Sequence, residues 1–173
     1  MNKFEKISLD QFKKDCKNLY PHLSEESILE AYNNIKLPKR ATIGSAGYDF
    51  YLPFPVDSMK GYGTTDKDYI TAPTGIRWVT DNNSLVLIMA PRSGLGFKNG
   101  MYLSNTIGVI DSTYADSSNE GHILVKFGSR IQDIILEAGK AFVQGIIMPY
   151  FTVDNEEEIT TVRNGGFGST DKN

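Results

Sequence analysis

Between residue 40 and about residue 152, apolar residues fall in short runs broken by Gly, Pro, Asn or Asp, with no helical spacing between them. Such runs predict strands, because an extended chain alternates its side chains between two faces and turn residues then reverse it. The runs are 48–52, closed by Pro53 and Pro55, then 69–72, 75–80, 84–89, 122–127, 133–136 and 141–152. Asp81-Asn82-Asn83 predicts a hairpin turn between 75–80 and 84–89, and Asn99-Gly100 marks another turn. Many short strands without helices between them predict a mainly β, mainly antiparallel domain, a barrel or jelly-roll sandwich. No internal repeat at a solenoid period is visible.

Residues 1–37 have a different texture. Up to residue 36 there is no glycine and one proline, Pro21. Phe12, Cys16 and Leu19 stand at i, i+4 and i+7, which makes one apolar helical stripe. After Pro21, Ser24 followed by Glu25, Glu26 and Ser27 predicts an N-cap and an acidic first turn. Ile28, Leu29, Tyr32 and Ile35 continue that helix, and Leu37-Pro38 ends it because the residue before proline leaves the helical region. Two short helices bury little alone, so they are expected to pack on the β domain as an appendage. The expected organisation is a helical extension (1–37), a β core (38–160) and a C-terminal arm (161–173). Gly165, Gly166 and Gly168 make that arm costly to order unless something holds it.

At 173 residues, with 40% hydrophobic and 23% charged residues, the chain suits one globular domain with an appendage. A net charge of −3 excludes a general binder of nucleic acid or anionic membrane, which would carry a basic surplus. The single cysteine, Cys16, excludes an intrachain disulfide and suits a reducing compartment. With only His22 and His122 beside it, no Cys/His metal set or Cys–His nucleophile is expected. The polar N-terminus lacks a signal-peptide core, and no apolar run reaches the length of a membrane span. The expected location is the cytoplasm.

Several stretches carry more chemistry than a plain scaffold needs. "NTIGVIDSTY" (105–114) sets one carboxylate, Asp111, between apolar Ile110 and Ser112. A general base must be held rigidly in this way, although an aspartate that merely starts a turn looks the same. "SAGYDF" (45–50) puts Asp49 inside an apolar strand start, where a carboxylate requires a partner. In "PRSGLG" (91–96), Arg92 can fork phosphate oxygens, Ser93 can donate a hydroxyl, and Gly94 lets backbone N–H groups approach an anion. Gln144 stands within an apolar strand, where its amide needs a partner or a ligand. The arm adds Arg163, Phe167, Ser169 and Thr170: a cation, a stacking surface and two hydroxyls.

In this order and spacing the motifs "AGYDF", "PRSGLG", "NTIGVIDSTY", the Gln144 strand and "RNGGFGST" resemble those of the trimeric dUTPase family over roughly residues 38–171. The resemblance implies the dUTPase-like distorted jelly roll and hydrolysis of dUTP to dUMP and pyrophosphate by water attack at the α-phosphorus. That reaction keeps uracil out of DNA and supplies dUMP for thymidylate synthesis. By the match, Asp111 orients and deprotonates the water, and Gln144 contacts the α-phosphate. Asn105 and the backbone of a hairpin through Gly108, Val109 and Ile110 hold uracil in a slot too tight for a 5-methyl group. Tyr114 packs on the deoxyribose and excludes a 2′-hydroxyl. Arg92, Ser93 and Gly94 match the phosphate-binding loop. Phe167 stacks on the closed-in uracil, Gly168, Ser169 and Thr170 cap the outer phosphates, and Arg163 pairs with the phosphate chain. The implied cofactor is Mg2+, held mainly by substrate phosphates, with Asp49 either reaching it through water or bracing the fold. A triphosphate carries about four negative charges at neutral pH, which a chain of net −3 meets with local arginines and the metal. A homotrimer with sites between subunits is also implied, with no membrane or nucleic-acid partner.

The chain departs from the family pattern in several places. Ala141 stands where the family often has an arginine, and its neighbour Lys140 lacks the planar fork. Asp171 replaces a closing glycine. Gly121 stands seven residues after Tyr114, farther than the family pattern has it, so 115–121 contains an insertion, read as a surface loop that brings Asp116 and Glu120 near the site in sequence. Two other readings remain open. A dCTP deaminase or bifunctional enzyme of the same fold would need a second carboxylate near Asp111. A dUTP-responsive module would bind a regulatory protein partner through the helices or the loop. The extension suits a phage or prophage enzyme, acting then in the host cytoplasm.

Overall fold

The computed structural model describes residues 1–57, 69–131 and 133–159. In chain order its elements are β1 (Asn2–Lys6), α1 (Leu9–Leu19), α2 (Glu25–Asn33), β2 (Tyr48–Tyr51), β3 (Val56–Asp57), β4 (Ile70–Pro73), β5 (Ile76–Thr80) and β6 (Leu85–Pro91). There follow α3 (Ser93–Asn99), β7 (Met101–Leu103), β8 (Gly108–Asp111), a 3-10 helix (Ser112–Asp116), β9 (Leu124–Ser129), β10 (Ile135–Leu136) and β11 (Ala141–Pro149). Alternation sets the inward faces: Ile76 and Trp78 of β5 and Val125 and Phe127 of β9 are buried, as a period of two requires. A four-stranded sheet β2-β11-β6-β8 and a three-stranded sheet β4-β9-β7 form the body, with the pairs β1-β5 and β3-β10 beside them. The pairings are antiparallel, the mainly β jelly-roll architecture that the short runs predict. None of the described helices is long and apolar enough to cross a membrane.

Local expectations change at several points. Asn2–Lys6, read as part of a helical extension, is a strand that pairs with β5, Phe4 opposite Trp78. Its Lys and Glu residues hide the alternation, and only the waiting edge of β5 makes it extended. The Asp81-Asn82-Asn83 turn forms, with the Ser84 N–H donating to Asn82 Oδ1 at 2.9 Å. However, it does not join a hairpin, because β5 pairs with β1 while β6 pairs with β11 and β8. Asn and Asp close a turn by local bonds whichever strands it connects. "PRSGLG" opens α3 rather than a loop, a helix that its two glycines conceal. Gly100 closes α3 at φ 62, which explains the Asn99-Gly100 signal. The second helix begins at Ser24 as expected, with the Ser27 N–H donating to its side chain, but it ends at Asn33 and leaves Leu29 exposed.

The helices complete the β core. Phe12, Cys16, Ile28, Ala31 and Ile35 belong to one buried cluster with Phe50, Trp78, Phe127 and Phe142. The Tyr20 hydroxyl donates to the Thr71 carbonyl at 2.5 Å. Burial, aided by the charge of Asp15, pushes the Cys16 thiol up to about 12, as suits an inert core cysteine.

The inserted segment after Tyr114, expected as a surface loop, is bolted to this extension. The backbone N–H and the hydroxyl of Ser8 both donate to the Glu120 carboxylate, at 2.8 and 2.6 Å. Ser8 is also the N-cap of α1. His122 is fully buried, and its Nε2 accepts the Gly75 N–H at 2.9 Å. The ring proton therefore sits on Nδ1, which donates to Asp15 Oδ2 at 2.6 Å. Burial raises the Asp15 carboxyl, but hydrogen bonds from His122 and Gln11 outweigh it and hold the group below its ordinary 3.8. A depressed carboxyl stabilises the fold fully above the unfolded value of about 4, and the contribution is lost as pH falls through the folded value. Asp15→Ala should therefore melt about 2–5 °C lower near neutral pH. The gap should close on acidification below about pH 4, as followed by thermal melts across that range.

Candidate active site

Asn105, Gly108, Val109, Ile110 and Tyr114 line one cavity of about 240 Å³, with Met89, Leu103 and residues 123–126 as its other walls. The turn leading into β8 is tight: the Thr106 N–H donates to Leu103 O at 3.0 Å, the Ile107 N–H to Asn105 O at 2.7 Å, and Thr106 takes a left-handed φ of 67. The expected hairpin is reduced to this turn, closed by one antiparallel bridge between Leu103 and Thr106, because beyond it β7 pairs with β9 and β8 with β6. The two strands diverge into different sheets, and the cavity is the space between them. Strand β8 lies at the edge of its sheet, so alternate backbone N–H and C=O groups point outward along that edge. It packs so closely on β6 that a Cβ on Gly108 would come within 2.9 Å of Met89 Cβ. Tyr114 is 6% exposed, and its hydroxyl donates to His122 O at 3.1 Å.

Asp111 ends β8 opposite Val86 and is half-buried. It stands at the N-cap of the 3-10 helix and makes no side-chain capping bond there. Next to it, the Ser112 hydroxyl donates to Asn83 Oδ1 at 3.0 Å, which fixes the corner.

A second group forms where β6 runs into α3. Asp49 has the partner its position demands: its Oδ1 lies 3.0 Å from Arg92 Nε. Gln144 sits between the strands, opposite Asp49 of β2 and Ala90 of β6, and its Nε2 donates to Pro91 O at 3.2 Å. Gly47 leaves room for the Gln144 amide where any Cβ would collide with it. Burial and the Asp49 charge raise the nearby Tyr51 phenol, and Arg92 partly offsets them. Ser93 and Gly94 are exposed on the first turn of α3, which has no side-chain cap. A Cβ on Gly94 would meet nothing within 4 Å, so packing does not explain that glycine. The first-turn N–H groups of a helix have no partners within it and suit an anion.

The two groups lie far apart in one chain. Asp111 pairs with Val86, and Gln144 pairs with Ala90 two strands away. With a rise of about 3.4 Å per residue and strands about 4.8 Å apart, their backbones are separated by roughly 17 Å. Arg163, Phe167, Gly168, Ser169, Thr170 and Asp171 lie outside the described residues. Ala141 is buried against β2, while Lys140 is exposed. Lys126 and the apolar residues of β9 are cavity walls that the sequence did not single out, since an apolar run with one lysine reads as an ordinary strand. Among the described residues, no group of three or more His, Cys, Asp or Glu could hold a metal ion. Lone carboxylates such as Asp49 suit a Mg2+ that arrives with phosphate and water ligands of its own.

The structure is thus an antiparallel jelly roll that opens a small cavity along an edge strand, with a carboxylate at the end of that strand. A family model described as dUTPase matches residues 33–171, and the chain belongs to the dUTPase family. A curated relative, the deoxyuridine 5'-triphosphate nucleotidohydrolase of Lactococcus lactis subsp. lactis, is 34% identical over 148 residues, which span 83% of this chain and 94% of the relative. The crystal structure of dUTPase from Streptococcus mutans superposes with a TM-score of 0.61 at 29% identity, over 88% of this chain and 99% of that one. The Staphylococcus bacteriophage 80alpha dUTPase, solved with dUPNHPP, gives 0.59 over 98% of this chain and 97% of its own, at 16% identity, a likeness of fold.

Proposed function

We propose that this chain hydrolyses dUTP to dUMP and pyrophosphate, at sites shared between the subunits of a homotrimer. The observation that carries this reading is the cavity at Asn105, Gly108, Val109, Ile110 and Tyr114, with Asp111 next along the same strand. Uracil offers one N–H donor between two carbonyl acceptors, a pattern that the outward N–H and C=O groups of an edge strand complement. Asn105 assists, and Tyr114 forms the wall against the sugar. Asp111 takes the proton of the attacking water. Arg92, Ser93 and the N–H groups at Gly94 receive phosphate oxygens, and Gln144 contacts the α-phosphate. When bound, Mg2+ neutralises phosphate charge and polarises the phosphorus. Asp49, already aimed by Arg92, would reach its water shell.

Backbones roughly 17 Å apart keep Asp111 and Gln144 of one chain from direct contact, whereas the water, the phosphorus and the groups that act on them must be held at close range. A second copy supplying Arg92 and Gln144 to the Asp111 cavity of its neighbour resolves this. The exposed apolar residues Phe97, Ile131 and Ile135 provide surface for such a copy to cover. The arm residues Arg163, Phe167, Gly168, Ser169 and Thr170 complete the site in this reading.

The test is pyrophosphate release from dUTP, dCTP, dTTP and UTP with and without Mg2+. Release from dUTP alone, strengthened by Mg2+, is expected; ammonia release from dCTP would replace this reading with a deaminase. Tyr114→Ala should lower the dUTP:UTP ratio of kcat/KM by about tenfold or more, since a sugar wall acts by excluding one hydroxyl. An unchanged ratio would remove Tyr114 from that role.

A further inference from the structure

The inserted residues beyond Tyr114 hold it at its hydroxyl and at its backbone carbonyl. Asn119 Nδ2–H donates to the Tyr114 hydroxyl at 3.1 Å and to His122 O at 3.3 Å, and Asn119 Oδ1 accepts the Gly121 N–H at 3.2 Å. The Tyr114 hydroxyl donates to His122 O. At the backbone end, the buried Ser117 hydroxyl donates to the Tyr114 carbonyl.

The loop that carries these groups is itself constrained. Glu120 takes a left-handed φ of 58, unfavourable for a residue with a Cβ, and both donors of Ser8 hold it there. Gly121, at φ 72, passes so close to Ala115 that a Cβ would collide with its backbone. Asp15 and Gly75 fix His122, whose carbonyl is the common acceptor for Asn119 and Tyr114. The N-terminal extension, the inserted loop and the cavity wall thus form one connected set of hydrogen bonds.

We infer that Asn119 is a positioning residue for Tyr114, and that the extension, through Ser8 and Asp15, holds the loop that does this. The set fixes how closely the Tyr114 ring approaches the sugar, and with it the discrimination between 2′-deoxy and 2′-hydroxy nucleotides. The inference rests on the proposed role of Tyr114 as the sugar wall.

Its test is the kcat and KM for dUTP and for UTP in the native chain and in Asn119→Ala, Tyr114→Phe, Glu120→Gln and Tyr114→Ala, with melting temperatures alongside. Asn119→Ala and Tyr114→Phe should each lower the dUTP:UTP ratio of kcat/KM by about three- to tenfold, the size of one lost hydrogen bond. The change should lie mainly in KM for UTP. Glu120→Gln should move the ratio in the same direction by less. The double variant Asn119→Ala, Tyr114→Phe should fall short of additivity, because the two share a bond. A loop that only stabilises the fold would lower the melting temperature and leave the ratio alone. That result, beside a relaxed Tyr114→Ala, overturns the inference by itself. If Tyr114→Ala also leaves the ratio unchanged, the sugar-wall reading fails and takes the inference with it.

Discussion

Asp111→Asn should lower turnover by at least about 100-fold while leaving dUTP binding close to that of the native chain. Asparagine keeps the shape of the side chain and the register of β8, where Asp111 faces Val86. It removes the negative charge and the basic oxygen that takes a proton from water. The native carboxylate does not cap the following 3-10 helix, so the substitution costs that helix no cap. The neighbouring Ser112–Asn83 bond keeps the corner in place, and the cavity walls at Asn105 and Tyr114 are untouched. Single-turnover pyrophosphate release and equilibrium binding of a non-hydrolysable analogue separate the two effects. Unchanged turnover would remove Asp111 as the base, and lost binding would make it a substrate-holding group instead.

Equal mixing of Asp111→Asn chains with Gln144→Ala chains should restore activity that neither variant has alone. Each proposed site draws its Asp111 half and its Gln144 half from different copies, so random assembly leaves about one quarter of the sites with both halves intact. Gln144→Ala is the gentler partner for this experiment. It gives up one bond to Pro91 O and preserves the Asp49–Arg92 pair, whereas removing Arg92 would strand a largely buried carboxylate. The variants are unfolded together, refolded as a mixture and assayed beside each refolded alone. If the mixture is no more active than its parts, the site lies within one chain and the shared-site reading fails.

Much of this protein is legible without coordinates. Alternating runs and turn residues disclose a mainly β domain, since both signals act over a few residues. The family signal is equally local: "PRSGLG", "NTIGVIDSTY" and the Gln144 strand carry their side chains in short fixed spacings. The turn at 81–83 is legible and the pairing on either side of it is not, because a turn specifies that the chain reverses and not which edge it meets. The strand at Asn2–Lys6 was invisible for the same reason.

By itself, then, the sequence determined the class of fold and the family, and it named the residues on which the proposed chemistry rests. Only the tertiary structure placed these residues in two groups, with the backbones of Asp111 and Gln144 roughly 17 Å apart, the separation on which the shared-site proposal rests. Only it showed that the unusual extension and the unusual insertion are each other's partners. The bonds that join the extension to the insertion and to the residue just after it, Ser8 to Glu120 and Asp15 to His122, span 112 and 107 positions. No local propensity reports contacts at such separations, because they exist only once packing of the whole core has brought the two segments together.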